Sequence, residues 1–137
     1  MARTSRTLLA GAALTTMAVL GSPGTASAAQ DHPTAYNTKT QFLDASPDSG
    51  MAMSCVERSI YLATGDYRWG HVWADGGEPI RLPAGTYTWT DCLDPQNGYY
   101  TQQSRLRGPG GTYDLIESWQ LWEDGTYEWG SYLDPQF

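Results

Sequence analysis

The sequence predicts an all-β fold, a compact Greek-key β-sandwich over residues 52–137. The first observation behind this prediction is a duplication: residues 85–96 read GTYTWTDCLDPQ and residues 125–136 read GTYEWGSYLDPQ, with eight of twelve positions identical. The second is that no helical period extends over three turns after residue 28, whereas short segments alternate between apolar and polar residues. A repeated unit of about 40 residues is too short to bury its own apolar face. We therefore expect two such units to pack as one domain.

The first 28 residues have the pattern of a secretory signal peptide. Arg3 and Arg6 precede an apolar run over residues 8–20, and Ala26-Ser27-Ala28 has the small-x-small form of a signal-peptidase site. The apolar run is too short to cross a bilayer. We therefore expect residues 1–28 to be removed and the mature protein to be secreted into the extracellular space.

Removal of the signal peptide leaves an acidic chain. Six basic residues then stand against fifteen acidic ones, which gives a net charge of −9. A charge of this sign disfavours nucleic acid and anionic membranes as partners. The composition therefore favours other secreted proteins as partners, and carbohydrate is the other class that we consider.

The two cysteines, Cys55 and Cys92, both belong to the expected mature chain. In an oxidising compartment, two cysteines most simply form one disulfide. Closing a loop of 38 residues would stabilise the fold by about 4 kcal/mol in the chain-entropy view. A metal site needs more cysteine and histidine ligands than the chain carries, so no metal or other cofactor is expected.

Residues 29–51 differ in composition from the rest of the mature chain. They are rich in Asp, Ser, Thr, Ala and Pro and show neither alternation nor a helical stripe. This pattern predicts a flexible N-terminal arm. The arm is interpreted either as a spacer or as a recognition segment that orders on a partner, with Tyr36, Phe42 and Leu43 as its apolar anchors.

Two tight turns are predicted to close β-hairpins. Thr64-Gly65-Asp66 lies between two alternating segments, and Asp124-Gly125 lies between two segments rich in rings. Asp-Gly flanked by apolar residues is a strong hairpin signal. We therefore expect each of these turns to join two adjacent, paired strands.

A tyrosine follows a glycine at the same place in both repeats. The segment Leu82–Tyr87 resembles the tyrosine corner of Greek-key sandwiches, in which the hydroxyl bonds back across the connection between the sheets, and Tyr127 is its copy. Duplicated units of this length are also similar to the βγ-crystallin plan of two Greek-key motifs in one domain. The calcium-binding loop sequence of that family is missing, so the resemblance implies the fold plan and no calcium site.

Candidate catalytic groups are few. His71 lies among aromatic residues without a nucleophile motif beside it, and it is interpreted as a polar strand position. The carboxylates Asp91 and Asp94, and the pair Glu123 and Asp124, lie near turns, where Asp commonly bonds to the backbone. Paired carboxylates could hydrolyse glycosides only if their side chains faced one another. The sequence therefore favours a protein that is not an enzyme.

Aromatic side chains are the most unusual feature of the composition. All six tryptophans lie between residues 69 and 129, and most rings must fill the core because other large apolar residues are scarce. Adjacent strand residues face opposite sides, so Leu121 and Trp122 cannot both point inward. Exposed rings beside arginine are common at protein interfaces and sugar-binding faces. The predicted partner-binding residues of the domain are Tyr67, Arg68, Trp69, Trp73 and Trp122, with Trp119 as the alternative to Trp122.

The layout of an export signal, an acidic arm over residues 29–51 and one β domain closed by Cys55 and Cys92 resembles the small adaptor subunit of bacterial umbrella toxin particles. In that family the adaptor joins a lectin-bearing, trypsin-like subunit to a spoke of the large toxin chain, and its N-terminal extension inserts into the partner's cleft. The resemblance implies a secreted, non-enzymatic protein-binding module that docks through its arm.

Two other functions fit the same residues. A secreted inhibitor of a protease or glycosidase could place the segment Tyr67-Arg68-Trp69 in the active-site cleft of that enzyme. A carbohydrate-binding module could use Trp69, Trp73 or Trp122 as stacking platforms. The arm distinguishes these functions, because an adaptor would fail without residues 29–52, whereas a carbohydrate-binding face or an inhibitor that acts through a loop would survive the truncation.

Overall fold

Eight strands form the two layers of a β-sandwich. A computed structural model describes residues 33–74 and 77–137, and it confirms the predicted all-β fold with one disulfide. The strands are β1 (Ala35–Leu43), β2 (Ser54–Leu62), β3 (Gly65–His71), β4 (Pro79–Leu82), β5 (Gly85–Pro95), β6 (Tyr100–Gly108), β7 (Gly111–Trp119) and β8 (Gly125–Pro135). Sheet A has the order β1-β8-β3-β4 and sheet B the order β2-β5-β6-β7, and every pairing is antiparallel.

The duplicated segments are strands β5 and β8, which lie at equivalent places in opposite sheets. In sheet B, Leu62 at the end of β2 lies opposite Gly85 at the start of β5. In sheet A, Leu43 at the end of β1 lies opposite Gly125 at the start of β8 in the same register. On its other side each repeated strand pairs with a hairpin, β6–β7 in sheet B and β3–β4 in sheet A. Each sheet is therefore one edge strand, one repeated strand and one hairpin.

Strand β1 corrects the prediction that residues 29–51 form an arm outside the domain. Residues 35–43 pair with β8 along their whole length and form the edge of sheet A. This strand is difficult to recognise in the sequence because one of its inward-facing residues, Asn37, is polar. Its amide donates to the Asp91 carboxylate at 2.6 Å in the core. Residues 29–32 and the predicted signal peptide, residues 1–28, lie outside the described residues.

Both predicted hairpin turns are instead connections between the sheets. Thr64-Gly65-Asp66 follows β2 in sheet B and opens β3 in sheet A, and Asp124-Gly125 takes the chain from β7 in sheet B to β8 in sheet A. Local turn residues fix the bend, but the core decides which strands pair. These two predictions were therefore wrong about strand pairing.

Three tyrosine corners lie at connections between the sheets, namely the two above and the one from β4 to β5. The hydroxyls of Tyr87 and Tyr127 donate to the carbonyl oxygens of Pro83 and Glu123 at 2.6 Å, which confirms the predicted corner and its copy. Tyr67 makes the same bond to the carbonyl of Ala63, also at 2.6 Å. Each tyrosine lies near the start of a strand that the chain enters after crossing between the sheets. In each of the three corners the tyrosine is the second residue after a glycine.

The core consists of two aromatic clusters with a polar layer between them. Strand β5 shows the order: Leu93 belongs to one cluster, Trp89 to the other, and the carboxylate of Asp91 lies between them. Strand β8 repeats this order with Trp129, Ser131 and Leu133. Both layers of the sandwich therefore contribute apolar residues to each end and polar residues to the middle.

Candidate binding surface

The polar layer brings a glutamate, a histidine and a serine into one chain of hydrogen bonds. The ring nitrogens of His71 lie 2.6 Å from Glu117 Oε1 and 2.9 Å from Ser104 Oγ. The order of groups is that of a catalytic triad. However, His71 is fully buried, Ser104 is 1% exposed, and the Ser104 hydroxyl donates to Asp91. In this structure no substrate reaches the serine.

The same layer joins the two sheets through Asp91. Its carboxylate on β5 accepts hydrogen bonds from Ser104 on β6 and from Ser131 and Asn37 on β8 and β1 of the facing sheet. Burial raises the pKa of Asp91, and these three donors partly oppose the rise. Satisfied polar networks of this kind give a core one preferred packing. We assign this layer to the specification of the fold.

Four of the predicted partner-binding residues lie in the core. Tyr67, Trp69 and Trp73 alternate on β3 and just beyond it, and none is more than 5% exposed. Leu43, predicted as an arm anchor, is also buried. On β3 alternate residues face the same side, so Tyr67 and Trp69 point inward together with the buried His71, and Arg68 between them faces outward. The prediction that these four side chains contact a partner was wrong.

The other predicted residues keep some exposure. Arg68 is half-buried on the outer face of sheet A and donates to the Gly77 carbonyl at 3.0 Å. Tyr36 is half-buried, with its ring centroid 6.3 Å from that of Tyr132. Phe42 is 62% exposed and Trp122 is 69% exposed. The predicted exposure of Trp122 is therefore confirmed, and the ring lies on the loop after β7.

Exposed apolar side chains gather at one end of the sandwich. This end, the loop end, consists of the end of β1 and the loops 44–53, 96–99 and 120–124. It carries five of the eight large hydrophobic side chains that are exposed in the described part of the chain. They are Phe42, Met51, Met53, Tyr99 and Trp122. An apolar concentration of this kind is characteristic of an interaction surface.

Hydrogen bonds tie the three loops to one another. The backbone N–H of Ala45 donates to the Asp124 carboxylate at 2.6 Å, which joins the first loop to the third. The N–H of Gly98 donates to the carbonyl of Pro47 at 2.8 Å, which joins the second loop to the first. The hydroxyl of Tyr100 donates to the Asp44 carbonyl at 2.9 Å. The three loops are thus joined by hydrogen bonds into one bonded platform, which carries the exposed rings.

The loop end is also acidic. The loops 44–53, 96–99 and 120–124 contain four acidic residues and no Lys, Arg or His. The ion pairs found in the described residues all lie elsewhere, on the strands. The acidic residues are Asp44, Asp48, Glu123 and Asp124. A partner at this surface therefore meets apolar side chains and unneutralised carboxylates together.

Met51, Met53 and Tyr99 belong to this surface but are not among the predicted partner-binding residues, although the two methionines were recognised as possible apolar anchors. The two methionines are at the boundary between the predicted arm and the domain, and Tyr99 follows Asn97-Gly98 at the turn between β5 and β6. The only sequence signal for them is an apolar residue within or beside a run of turn residues. That signal becomes informative only when the fold brings the loops to one end.

A cleft of about 870 Å³ lies between the edge strands β1 and β2. The Arg58 guanidinium crosses it and donates to the Tyr36 carbonyl at 2.7 Å, and Asn37 donates to the Val56 carbonyl at 3.1 Å. These bonds satisfy backbone groups at the open edges of the sheets. We therefore interpret the cleft as the place where the edge strands of the two sheets meet and close this side of the sandwich.

Within residues 33–74 and 77–137, no group of three or more His, Cys, Asp or Glu side chains is placed to hold a metal ion. No helix in this part of the chain is long and apolar enough to cross a membrane. Comparison of the chain with protein-family models, with curated proteins and with solved structures finds no match. Functional assignment therefore depends on the surface itself.

Proposed function

We propose that this protein is a secreted, non-enzymatic binding module that holds another secreted protein through its loop end, in the role of an adaptor within an extracellular complex. The observation that carries the proposal is the concentration of exposed apolar side chains at that end, with Trp122 and Phe42 the most exposed. Tryptophan and tyrosine are the residues most often responsible for binding energy at protein interfaces.

Leaving these rings in water has a free-energy cost. Burying the side chain of a phenylalanine is worth about 1.5–3 kcal/mol. Trp122 and Phe42 each leave more than half of their surface exposed, although the same chain buries its other five tryptophans almost completely. Two such rings on a bonded platform give a partner a preformed apolar contact, since the loops need little ordering.

The mode of docking differs from the one implied by the resemblance to toxin-particle adaptors. An inserted N-terminal arm is not available over residues 35–43, because these residues are the edge strand of sheet A. Phe42 is still exposed, and it lies at the loop end rather than on a free segment. We therefore retain the adaptor role and assign the docking to the loop end.

The alternative functions receive different support. A hydrolase inhibitor that inserts Tyr67-Arg68-Trp69 is disfavoured, because the two rings are buried in the core. A carbohydrate-binding module is favoured by one observation, the exposed Trp122 followed directly by Glu123 and Asp124. A stacking ring beside hydrogen-bonding carboxylates can bind a sugar. Carbohydrate is therefore the second candidate ligand of the same surface.

A pull-down with matched variants tests the proposal. Immobilised mature protein, Trp122→Ala and Tyr61→Ala are exposed to the culture medium of the producing cell, and the retained proteins are identified by mass spectrometry. Tyr61 is a suitable control because it is 67% exposed at the opposite end of the sandwich. We expect wild type and Tyr61→Ala to retain the same co-secreted protein and Trp122→Ala to lose it, at a cost of about 2 kcal/mol or more.

Binding of the retained protein is then measured by calorimetry with both purified components. A loss of affinity of roughly thirtyfold for Trp122→Ala, with Tyr61→Ala unchanged, would support the loop end as the docking surface. Equal retention by all three proteins would refute it. Retention of polysaccharide alone would replace the protein partner with carbohydrate.

A further inference from the structure

We propose that the partner presents a positively charged rim around an apolar centre, and that charge attraction to the loop end sets the rate at which it is captured. This inference rests on the proposed function, because it names the chemistry of the partner at the same surface. The apolar side chains supply the centre of the contact, and the carboxylates of the three loops supply its charge.

Charged side chains are unevenly distributed along the sandwich. Every basic residue in the described part of the chain lies on a strand. The ionisable side chains in the three loops of the loop end are all acids, namely four Asp and Glu residues and the weakly acidic Tyr99. The basic residues are Lys39, Arg58, Arg68, Arg81, Arg105 and Arg107. A partner that approaches the loop end therefore meets a field of one sign.

The individual carboxylates of the loop end indicate the same kind of partner. Asp48 and Glu123 are exposed, and neither forms an ion pair with another residue of the described ranges 33–74 and 77–137. Asp124 is the carboxylate that accepts the Ala45 N–H. Among the described residues these groups do not converge as metal ligands. Carboxylates that are spread over a surface act together on a large charged partner rather than on a single ion.

The same charges argue against a second copy of the chain as the occupant. A symmetric dimer through the loop end would place each acidic loop against an identical acidic loop. Like charges placed against one another across an interface suppress such pairings. A basic partner instead neutralises these carboxylates while its apolar centre covers Trp122 and Phe42.

The test compares two charge-reversed variants for binding to the protein retained in the pull-down. The first is Asp48→Lys with Glu123→Lys, both at the loop end. The second is Glu57→Lys with Glu78→Lys, two exposed acidic residues outside the three loops. Both variants change the net charge by the same amount, and their folding is compared with wild type by urea unfolding. Association and dissociation rates are measured by surface plasmon resonance at low and at high salt.

We expect the loop-end reversal to slow association by about tenfold or more, with a much smaller effect of the control. Raising the salt from about 0.01 M to about 1 M shortens the screening length from about 30 Å to about 3 Å and should slow the wild type to a similar degree. If both reversals leave the association rate unchanged, the charged rim is refuted while the apolar docking surface stands. If the retained protein dissociates from Trp122→Ala no faster than from wild type, the proposed function fails as well.

Discussion

Replacing Gly130 with Ala should cost more stability than any other single methyl addition considered for this chain. Gly130 lies in β8 opposite Thr38 and has a φ of 136°, a conformation that side-chain-bearing residues rarely adopt. A Cβ at this position would collide with the carbonyl oxygen of Asn37 and lie 2.7 Å from the Cα of Thr38. Both contacts are with the backbone of the paired strand, so neither can rotate away. We expect a loss of about 3 kcal/mol or more in the free energy of unfolding.

Two other glycines separate the contributions of strain and collision. Gly98 also has a positive φ, 88°, but a Cβ there meets nothing within 4 Å, so Gly98→Ala should cost about 1 kcal/mol from strain alone. Gly50 has open space and no unusual φ, so Gly50→Ala should be nearly neutral. Urea unfolding of the three variants gives the comparison. A cost for Gly130→Ala no greater than that for Gly98→Ala would contradict the close approach of β1 and β8.

Removal of the disulfide should also destabilise the fold strongly. Cys55 on β2 lies directly opposite Cys92 on β5, with Cα atoms 4.1 Å apart and a sequence separation of 37. The bond lies on the outer face of sheet B and fastens an edge strand that has only one neighbour in its sheet. The double variant Cys55→Ser with Cys92→Ser should lose about 4 kcal/mol of stability, mainly because the unfolded chain is no longer constrained.

Reduction of the wild type provides the control for this variant. Urea unfolding in the presence of a dithiol should give the same stability as the serine variant, since both lack the bond and neither changes the core. Equal stability of the oxidised wild type and the serine variant would contradict the assigned role. A variant that is far less stable than reduced wild type would show that the serines themselves perturb β2.

The repeated segment allowed much of the architecture to be predicted. Residues 85–96 and 125–136 are recognisable because each carries a full strand with its tyrosine corner, and the corner bonds of Tyr87 and Tyr127 are made within four residues. Local interactions of this kind can be recognised from a single sequence. The pairing of Cys55 with Cys92 was predictable for a different reason, namely that the chain has no other cysteine.

Contacts between distant residues explain what could not be predicted. Strand β1 depends on Asn37, whose amide is satisfied by Asp91, a residue 54 positions away. The alternation around Trp69 shows that Tyr67, Trp69 and His71 lie on one face of the strand. Whether that face points into the core or towards solvent depends on packing against the other sheet. The loop end unites segments that are far apart in the chain, so its apolar and acidic character appears only in the folded protein.

Hydrogen exchange of the complex with the retained protein tests the central claim most directly. The free protein and the complex are labelled under the same conditions, and the protection of each peptide is compared. We predict that new protection is concentrated in residues 44–53, 96–99 and 120–124, because the partner covers the loop end. Protection centred instead on the β1–β2 cleft or on the outer face of sheet B, with the three loops unchanged, would contradict the assignment of the loop end as the docking surface.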